Sequence, residues 1–243
     1  MLKHKKRIQI AGFTIVELLI TVSVISILAS LLLPALNSAR KKALSINCTG
    51  NLKQTMLGTI QYSVDAGGYL SLQNCNRGGG NILQEIYQED ASAGVNQFAK
   101  YKFLFCPASI QERKNNTDIY CFNNLYGCRR ESWDTWTKNS ENAYLKYVQN
   151  GKNYICINMP RLKKPSEYIL LADAVDKRNF SGRSQLEHKN APGAFYLIHG
   201  GQNNQAFADG HVSMRPFSWF VGNLSQYGPA FVTEDHSVFY GTL

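Results

Sequence analysis

The sequence predicts an α+β fold in which one long amino-terminal helix packs on a small antiparallel β-sheet. A run of 21 mostly apolar residues extends from Phe13 to Leu33, and an amphipathic pattern continues it to about Tyr62. The apolar residues of this second part recur at spacings near three and four and should pack on the globular domain; they are Leu36, Ala39, Ala43, Ile46, Leu52, Leu57 and Ile60. After Gly151, short segments rich in β-branched and aromatic residues follow one another too closely for helical crossovers. These observations favour a helix first and an antiparallel sheet second.

The composition is that of an ordinary folded protein. Of 243 residues, 44% are hydrophobic and 18% are charged, which excludes wholesale disorder, and the 19 glycines show no three-residue period, which excludes collagen. Residues 1–12 carry four basic side chains and residues 13–60 a net +3, which leaves +2 of the total +9 for the other 183 residues. Basic charge around an apolar run indicates a membrane, so we expect no nucleic-acid partner.

The apolar run is long enough to cross a bilayer. As a helix, 21 residues span about 30 Å, the thickness of one hydrocarbon core. The basic cluster that precedes Phe13 should hold that end in the cytoplasm, although a smaller cluster, residues 40–42, lies past the other end. We therefore expect a single span with the carboxy-terminal domain outside the cytoplasm.

Two simpler interpretations of this run are a secretory signal peptide and a plain membrane anchor. A signal peptide has an apolar stretch of about 7–15 residues and a small-x-small cleavage site, and this run is longer and lacks such a site. Glu17 argues against a plain anchor, because a carboxylate inside an apolar helix costs about 2.5 kcal/mol or more. No basic side chain lies within a helical turn of Glu17, so its partner should come from elsewhere.

The segment Gly12-Phe13-Thr14-Ile15-Val16-Glu17-Leu18-Leu19 resembles the prepilin cleavage and methylation motif of type IV pilins and type II secretion pseudopilins. The resemblance implies cleavage after Gly12 by a membrane prepilin peptidase and N-methylation of the new terminus at Phe13. It also implies that Glu17 is the assembly residue. Glu17 of one subunit can neutralise the Phe13 amine of its neighbour, which relieves two desolvation costs at once.

The chain then divides into a leader, a two-part helix and a globular domain. Pro34 either bends the helix or ends its membrane half. The expected segments are a cleaved leader 1–12, a transmembrane half 13–34, an amphipathic half 35–62, and a pilin-like globular domain 63–243 with a loop-rich part 71–150 and a sheet 151–243.

Three further motifs resemble a branch of pilin-like proteins named for a carboxy-terminal His-x9-Asp-Gly motif. They are Cys48-Thr49-Gly50-Asn51-Leu52-Lys53-Gln54 followed by Tyr62, Leu104-Phe105-Cys106-Pro107, and the segment from His199 to Asp209-Gly210. Together these motifs extend along nearly the whole chain.

The sheet is predicted from short β-rich segments and one strong turn signal. Asp209-Gly210 is typical of a hairpin turn. Farther upstream, residues 132–148 are interpreted as a short helix or an irregular excursion. The predicted strands are 154–157, 168–171, 194–198, 206–208 and 211–214.

The chain contains six cysteines and no Cys-x2-Cys pair, which argues against a zinc site. The predicted orientation places them outside the cytoplasm, where disulfides persist. We expect at least one disulfide among Cys75, Cys106, Cys121 and Cys128. Cys48, on the helix, reads as a small buried hydrophobic side chain.

His199, Asp209 and His211, with Asp173, offer a metal or catalytic interpretation. Calcium is the cofactor to consider, but it requires six or more oxygens, and two aspartates with carbonyls are a thin set. The simpler interpretation is that Asp209-Gly210 makes the hairpin and that His199 caps it or hydrogen-bonds to it. No nucleophile, P-loop or zinc-protease motif occurs, so we expect no enzyme, no catalytic residue, no metal ligand and no cofactor.

The resemblance implies a structural subunit, anchored in the inner membrane, with its globular domain in the periplasm or at the cell surface. Its partners would be the prepilin peptidase, copies of itself or other pilin-like subunits, and the inner membrane. Gly12, Phe13 and Glu17 would serve processing and assembly into a type IV pilus-like or type II secretion filament. The alternative is a membrane-anchored extracytoplasmic binding or adhesion protein that does not polymerise.

Overall fold

A computed structural model describes residues 13–74, 83, 86, 101–112, 126–129, 143–149, 152–176, 185–186, 193–220 and 230–240. The chain divides into two compact units, residues 1–40 and residues 41–243. The helix α1, Ile15–Asp65, begins in the first unit and ends in the second.

In the first unit, the apolar side chains from Phe13 to Leu36 are exposed. The hydroxyl groups of Thr21, Ser23 and Ser26 donate to backbone carbonyls three or four residues earlier, so these polar groups are satisfied within the helix. Pro34 lies inside α1, so it does not end the helix. A helix of this composition can enter an apolar medium without leaving hydroxyl groups unpaired.

In the second unit, α1 buries a face that is richer in small and polar side chains than its sequence pattern predicts. The buried positions recur at three- and four-residue spacing and are Ser45, Cys48, Leu52, Thr55, Met56, Thr59 and Ser63. Ile46 and Leu57, which the apolar pattern assigns to the packed face, are 71% and 59% exposed. That assignment is wrong because hydroxyl and thiol groups hydrogen-bonded to the domain occupy the buried stripe.

The helix ends three residues later than predicted, in a Schellman motif. The Gly68 N–H donates to the Ser63 carbonyl at 2.7 Å, and the Gly67 N–H donates to the Val64 carbonyl at 3.1 Å. Gly67 has φ +67°, the left-handed conformation that this motif requires and that glycine adopts without strain.

Twelve strands form three sheets in the described part of the chain. The first sheet has the order β1 (Tyr69–Asn74), β4 (Lys152–Asn158), β3 (Tyr144–Gln149). The second has the order β10 (Val212–Pro216), β9 (Gln202–Phe207), β5 (Ile169–Ala172), β2 (Gly127–Arg129), β7 (Gln185–Leu186). The third has the order β12 (Val238–Tyr240), β11 (Ala230–Thr233), β8 (Gly193–Leu197), β6 (Ala174–Asp176). A short helix, α2 (Pro107–Glu112), follows a 3₁₀ turn at Lys102–Leu104.

The α+β class is confirmed, and each of the five predicted strands overlaps an observed one. Most strand pairs are antiparallel, but β8 pairs with β11 and β2 pairs with β7 in parallel. These parallel partners are far apart in sequence, so the intervening chain is long enough to return to the same end of the sheet. The interpretation of residues 132–148 is wrong where they are described, because Tyr144–Gln149 is a strand paired with β4.

Asp209-Gly210 joins β9 to β10 in the predicted hairpin. The Gly210 N–H donates to the Phe207 carbonyl at 2.9 Å, and Gly210 has φ +91°. A Cβ at Gly210 would lie 2.9 Å from Cδ1 of Ile60 on α1, so the turn approaches the helix closely. Since Cδ1 is the mobile end of a side chain, the backbone conformation rather than the contact restricts this position to glycine.

We predict that Gly210→Ala lowers the free energy of unfolding by about 1–3 kcal/mol, because alanine must adopt a left-handed conformation there. The matched control is Gly50→Ala, at an exposed position of α1 where no atom lies within 4 Å of the new Cβ. That variant should gain about 0.5–1 kcal/mol from helix propensity. Denaturant unfolding of both proteins checks this, and equal effects would contradict the assignment of strain to Gly210.

Candidate functional site

The first candidate site is the start of α1. Both the backbone N–H and the hydroxyl of Thr14 donate to Glu17 Oε2, at 2.9 and 2.8 Å, and the Glu17 N–H donates to the Thr14 hydroxyl at 3.2 Å. This reciprocal arrangement is a capping box, which satisfies donors that a helix start otherwise leaves unpaired. Glu17 therefore has a structural role within its own chain.

The capping box was readable in the sequence, because Thr-x-x-Glu before an apolar run is its signature. A carboxylate also accepts from hydroxyl and backbone N–H groups, so the partner of Glu17 within its own chain is Thr14 rather than a basic side chain. Phe13 is 71% exposed, and Gly12 lies outside the described residues. The roles of Gly12, Phe13 and Glu17 in processing and assembly stay predictions.

The apolar surface that follows Glu17 needs an apolar environment. Among the described residues, α1 is long and apolar enough to cross a membrane. The large hydrophobic side chains from Ile15 to Leu33 are each more than half exposed. Since burying one such side chain is worth about 1.5–3 kcal/mol, this stretch strongly favours lipid or a neighbouring helix over water.

The second candidate site is a cluster of four ionisable side chains buried in the second unit. Cys48 lies on α1, Cys106 directly precedes α2, Asp173 lies between β5 and β6, and His199 follows β8. Their exposed fractions are 0%, 5%, 2% and 8%. We call these four residues the buried cluster.

The side chains of the buried cluster converge on one point. His199 Nε2 lies 3.3 Å from Asp173 Oδ2 and 3.4 Å from Cys106 Sγ. Cys48 Sγ donates to Asp173 Oδ1 at 3.4 Å and lies 3.6 Å from Oδ2. One donor atom from each residue can be chosen so that all four atoms lie within 4.8 Å of one another.

This geometry differs from a nucleophilic triad. In a triad, the carboxylate binds one ring nitrogen of histidine and the nucleophile lies at the other. Here Asp173 and Cys106 both lie at Nε2 of His199, so the carboxylate cannot orient the ring for proton transfer from the thiol. Complete burial of Cys48 also separates the thiols from any substrate in solvent.

The pKa values follow from burial and mutual hydrogen bonding. Burial acts to lower the pKa of His199, but hydrogen bonds with Asp173 and Cys106 outweigh it and raise the pKa to about 10. Burial raises the pKa of Cys48 well above its usual range, and the nearby Cys106 and Asp173 add to that effect. Burial acts to raise the pKa of Cys106, but hydrogen bonds with Cys48 and His199 lower it overall. Burial and mutual hydrogen bonding thus favour the protonated form of His199 and the neutral thiol of Cys48, and they make Cys106 the more acidic of the two thiols.

Backbone and side-chain donors hold the cluster from outside. The Asn204 N–H donates to Asp173 Oδ2 at 3.3 Å, and Asn203 Nδ2 donates to the Asp173 carbonyl at 2.9 Å. The Tyr126 hydroxyl lies 3.4 Å from Cys48 Sγ and 3.1 Å from the Cys48 carbonyl. Strand β9 therefore holds the Asp173 carboxylate in place, and Tyr126 holds the Cys48 thiol of α1.

The His-x9-Asp-Gly motif does not form one site. The interpretation that Asp209-Gly210 makes the hairpin is confirmed, whereas the side chain of His199 contacts Asp173 and Cys106 rather than the turn. Asp209 instead pairs with His211 at 2.6 Å and accepts from the His211 N–H at 3.1 Å, near the surface. Burial acts to raise the pKa of Asp209, but these two bonds lower it overall.

The structure confirms the expected burial of Cys48 and excludes Cys106 from the expected disulfide. Cys48 is buried as expected, but its thiol is a polar partner of Asp173 and Tyr126 rather than only a small apolar group. Cys106 is a free thiol, so the expected disulfide does not include it. Cys75, Cys121 and the side chain of Cys128 lie outside the described residues, and a disulfide among them stays a prediction.

We predict that Asp173→Ala lowers the free energy of unfolding by about 3–5 kcal/mol, because it leaves the buried His199 imidazole without its carboxylate. The matched control, Asp209→Ala, breaks an Asp–His pair near the surface and should cost about 1 kcal/mol or less. Denaturant unfolding in the presence of a metal chelator measures both. Equal costs would show that the buried pair is no more important than the exposed one.

One curated protein matches part of the chain. It is 40% identical over 62 residues to the type IV wide pilus major component PilA4 of Thermus thermophilus. The match covers 26% of this chain and 47% of that protein, so the chain spans about half the length of the curated relative it matches. No family model matches the chain, and no solved structure matches it significantly. This similarity to a pilus component agrees with the long apolar helix at the start of the described residues, which is long and apolar enough to cross a membrane, and with their α+β fold of mostly antiparallel sheets.

Proposed function

We propose that the chain is a pilin-like subunit that is cut after Gly12, methylated at Phe13 and assembled into a type IV pilus-like or type II secretion filament. The observation that carries the proposal is the exposed apolar surface of α1, in a chain that is similar to a pilus component. The peptidase, the inner membrane and further pilin-like subunits are the partners of this pathway. Its role is structural rather than catalytic, in keeping with the geometry at His199.

Assembly exchanges lipid for neighbouring helices around the same apolar side chains. Lipid tails and leucine side chains are about equally apolar, so the hydrophobic effect alone gives little preference between the two environments. Close packing and polar interactions between helices must therefore decide register and stability. Glu17 is the acidic residue in this stretch, and it is the group best suited to fix the register.

A new amine at Phe13 supplies the complementary charge. Both Thr14 bonds end on Oε2 of Glu17, and a carboxylate accepts several hydrogen bonds. Glu17 can therefore keep its capping bonds while Oε1 accepts from the amine of an adjacent subunit. The same carboxylate would then begin the helix in the monomer and align helices in the filament.

We predict that Glu17→Gln inserts normally but does not assemble, because glutamine retains the capping box and removes the charge. Glu17→Ala should lose both the capping box and the charge, so it should also lose about 1 kcal/mol of helix stability. The measurements are the membrane-bound fraction of each variant and electron microscopy of filaments sheared from cells.

The control for a general disturbance of the helix start is Thr14→Ala, which removes the cap hydroxyl and keeps the Glu17 charge. It should insert and still assemble. Normal filaments from Glu17→Gln would contradict the charge role. Wild-type cells that carry the processed protein without filaments, and without the regular ladders that surface crosslinking gives for a polymer, would instead favour the non-polymerising anchored binding protein.

Processing gives an independent prediction. The mature protein should begin at Phe13 and carry one methyl group on its α-amine, as shown by mass spectrometry of the amino-terminal peptide. Gly12→Leu should abolish both changes and leave the protein in the membrane with its basic leader. A native protein that begins at Met1, or beyond Pro34, would exclude this pathway.

A further inference from the structure

We propose that the buried cluster binds one Zn²⁺ ion in tetrahedral coordination, with Cys48, Cys106, Asp173 and His199 as its four ligands. The proposal concerns the fold of the second unit and does not depend on whether the chain forms filaments. It rests on the distances among the four side chains, on their burial and on the chemistry of the donor set.

Three of the six distances among the donor atoms match the edges of a zinc tetrahedron. With zinc–sulfur bonds of about 2.3 Å and zinc–nitrogen or zinc–oxygen bonds of about 2.0–2.1 Å, nitrogen and oxygen lie about 3.3 Å apart and sulfur lies about 3.5 Å from either. The observed distances are 3.3 Å from His199 Nε2 to Asp173 Oδ2, and 3.4 Å from Nε2 to Cys106 Sγ. Cys48 Sγ lies 3.6 Å from the same Oδ2 atom. The other distances among the four donor atoms are at most 4.8 Å, so binding of an ion at the centre would shorten the longest of them by about 1 Å.

The donor set selects the metal. Two sulfurs, one imidazole nitrogen and one carboxylate oxygen suit a borderline-soft ion of tetrahedral preference, which is zinc among common cellular metals. Calcium and magnesium prefer six or more oxygens and do not suit thiolates. The calcium considered from the aspartates in the sequence therefore does not fit here.

Four protein ligands leave no open position for water or substrate, which is typical of a structural zinc site rather than a catalytic one. The burial of all four residues agrees with that assignment. The outer contacts also agree, because metal ligands are usually held by further hydrogen bonds. Here the Asn204 N–H holds Asp173, and the Tyr126 hydroxyl lies beside Cys48.

Zinc binding would replace protons rather than add an isolated charge. Without metal, the Cys48 thiol donates to Asp173 Oδ1 at 3.4 Å, and a hydrogen bond from His199 Nε2 to Asp173 Oδ2 at 3.3 Å requires a proton on Nε2. Zinc binds thiolates and neutral imidazole, so binding releases these protons to solvent. Two thiolates, one carboxylate and Zn²⁺ then give a net charge of −1, which the Asn204 N–H and the Tyr126 hydroxyl are placed to stabilise.

The ion would join parts of the chain that are distant in sequence. Its ligands come from α1, from the segment before α2, from the β5–β6 connection and from the end of β8. Because such a site does not exist in the unfolded chain, the ion binds as the domain folds, and its binding energy stabilises the fold.

A disulfide between Cys48 and Cys106 is the competing use of the same thiols. It would bring the two sulfurs to about 2.05 Å and would involve neither His199 nor Asp173. The His199 imidazole lies 3.4 Å from Cys106 Sγ, the Asp173 carboxylate lies 3.4 Å from Cys48 Sγ, and both cysteines are free thiols. The geometry therefore favours the ion.

The test uses the full chain, purified in detergent under reducing conditions and without added chelator. Elemental analysis should find about one zinc per chain. After removal of zinc, titration with Co²⁺ should give the visible absorption of tetrahedral cobalt together with a thiolate-to-cobalt charge-transfer band. Refolding with zinc should raise the unfolding midpoint relative to refolding with chelator.

The ligand variants are Cys106→Ser and His199→Gln, and the matched control is Cys156→Ser, at a buried cysteine outside the cluster. Since loss of outer-shell partners alone weakens metal binding about 10–100-fold, loss of a ligand should weaken zinc binding at least about 100-fold. The control should bind zinc as the wild type does. If a ligand variant does not fold, the cobalt spectrum of the wild type decides.

Three results would overturn the proposal. They are wild-type protein without zinc and without a tetrahedral cobalt spectrum, equal metal binding by Cys106→Ser and Cys156→Ser, and a Cys48–Cys106 disulfide in peptides mapped from protein kept under native conditions. The readouts are metal content and spectra rather than filaments. Failure of this proposal is therefore distinguishable from failure of the proposed assembly.

Discussion

The burial of Asp173 and His199 is the constraint on which the second unit depends. An ionised carboxylate away from water is costly unless it is paired and hydrogen-bonded, and removal of one partner leaves the other uncompensated. Asp173 meets this requirement through His199, Cys48 and the backbone of Asn204. Because these partners come from α1, β9 and the end of β8, satisfying one carboxylate requires the helix and the sheets to take their native arrangement. A buried polar group can in this way specify a fold as well as stabilise it.

The need to pair buried polar groups also explains why the side chains of α1 differ between its first and second parts. Its first part is apolar on all sides, as suits a helix surrounded by lipid or by other apolar helices. Within residues 41–65, the buried stripe carries hydroxyl and thiol groups that pair with the domain, as Thr55 does with the Phe103 carbonyl at 2.9 Å. One continuous helix thus meets two different environments with two different sets of side chains.

Local signals in the sequence were sufficient for the long helix, the β9–β10 hairpin and the central strands, because periodicity and Asp-Gly turn chemistry act over a few residues. The buried face of α1 was not predictable from hydrophobicity, since Ile46 and Leu57 are exposed while Ser45 and Thr59 are buried. The buried cluster was not predictable from spacing, because long-range packing brings its four segments together. Three of its members, Cys48, Cys106 and His199, nevertheless lie in the three motifs that resemble the pilin-like branch. The fourth, Asp173, is considered with His199 as a metal ligand. The sequence therefore identifies the four residues but not that they are in contact. The capping role of Glu17 was readable from Thr14, three residues earlier.

The spacing of the His-x9-Asp-Gly motif follows from the length of one strand. His199 lies in the turn before β9, and Asp209 lies in the turn after it. A strand of six residues spans about 20 Å, so the two side chains are held at opposite ends and cannot share a ligand. The two side chains make different contacts, since His199 pairs with Asp173 in the buried cluster and Asp209 pairs with His211 at the hairpin turn. The nine intervening residues are therefore the length of chain needed to connect the two ends of β9. One end is held at the buried cluster, and the other is held where Gly210 approaches α1 closely.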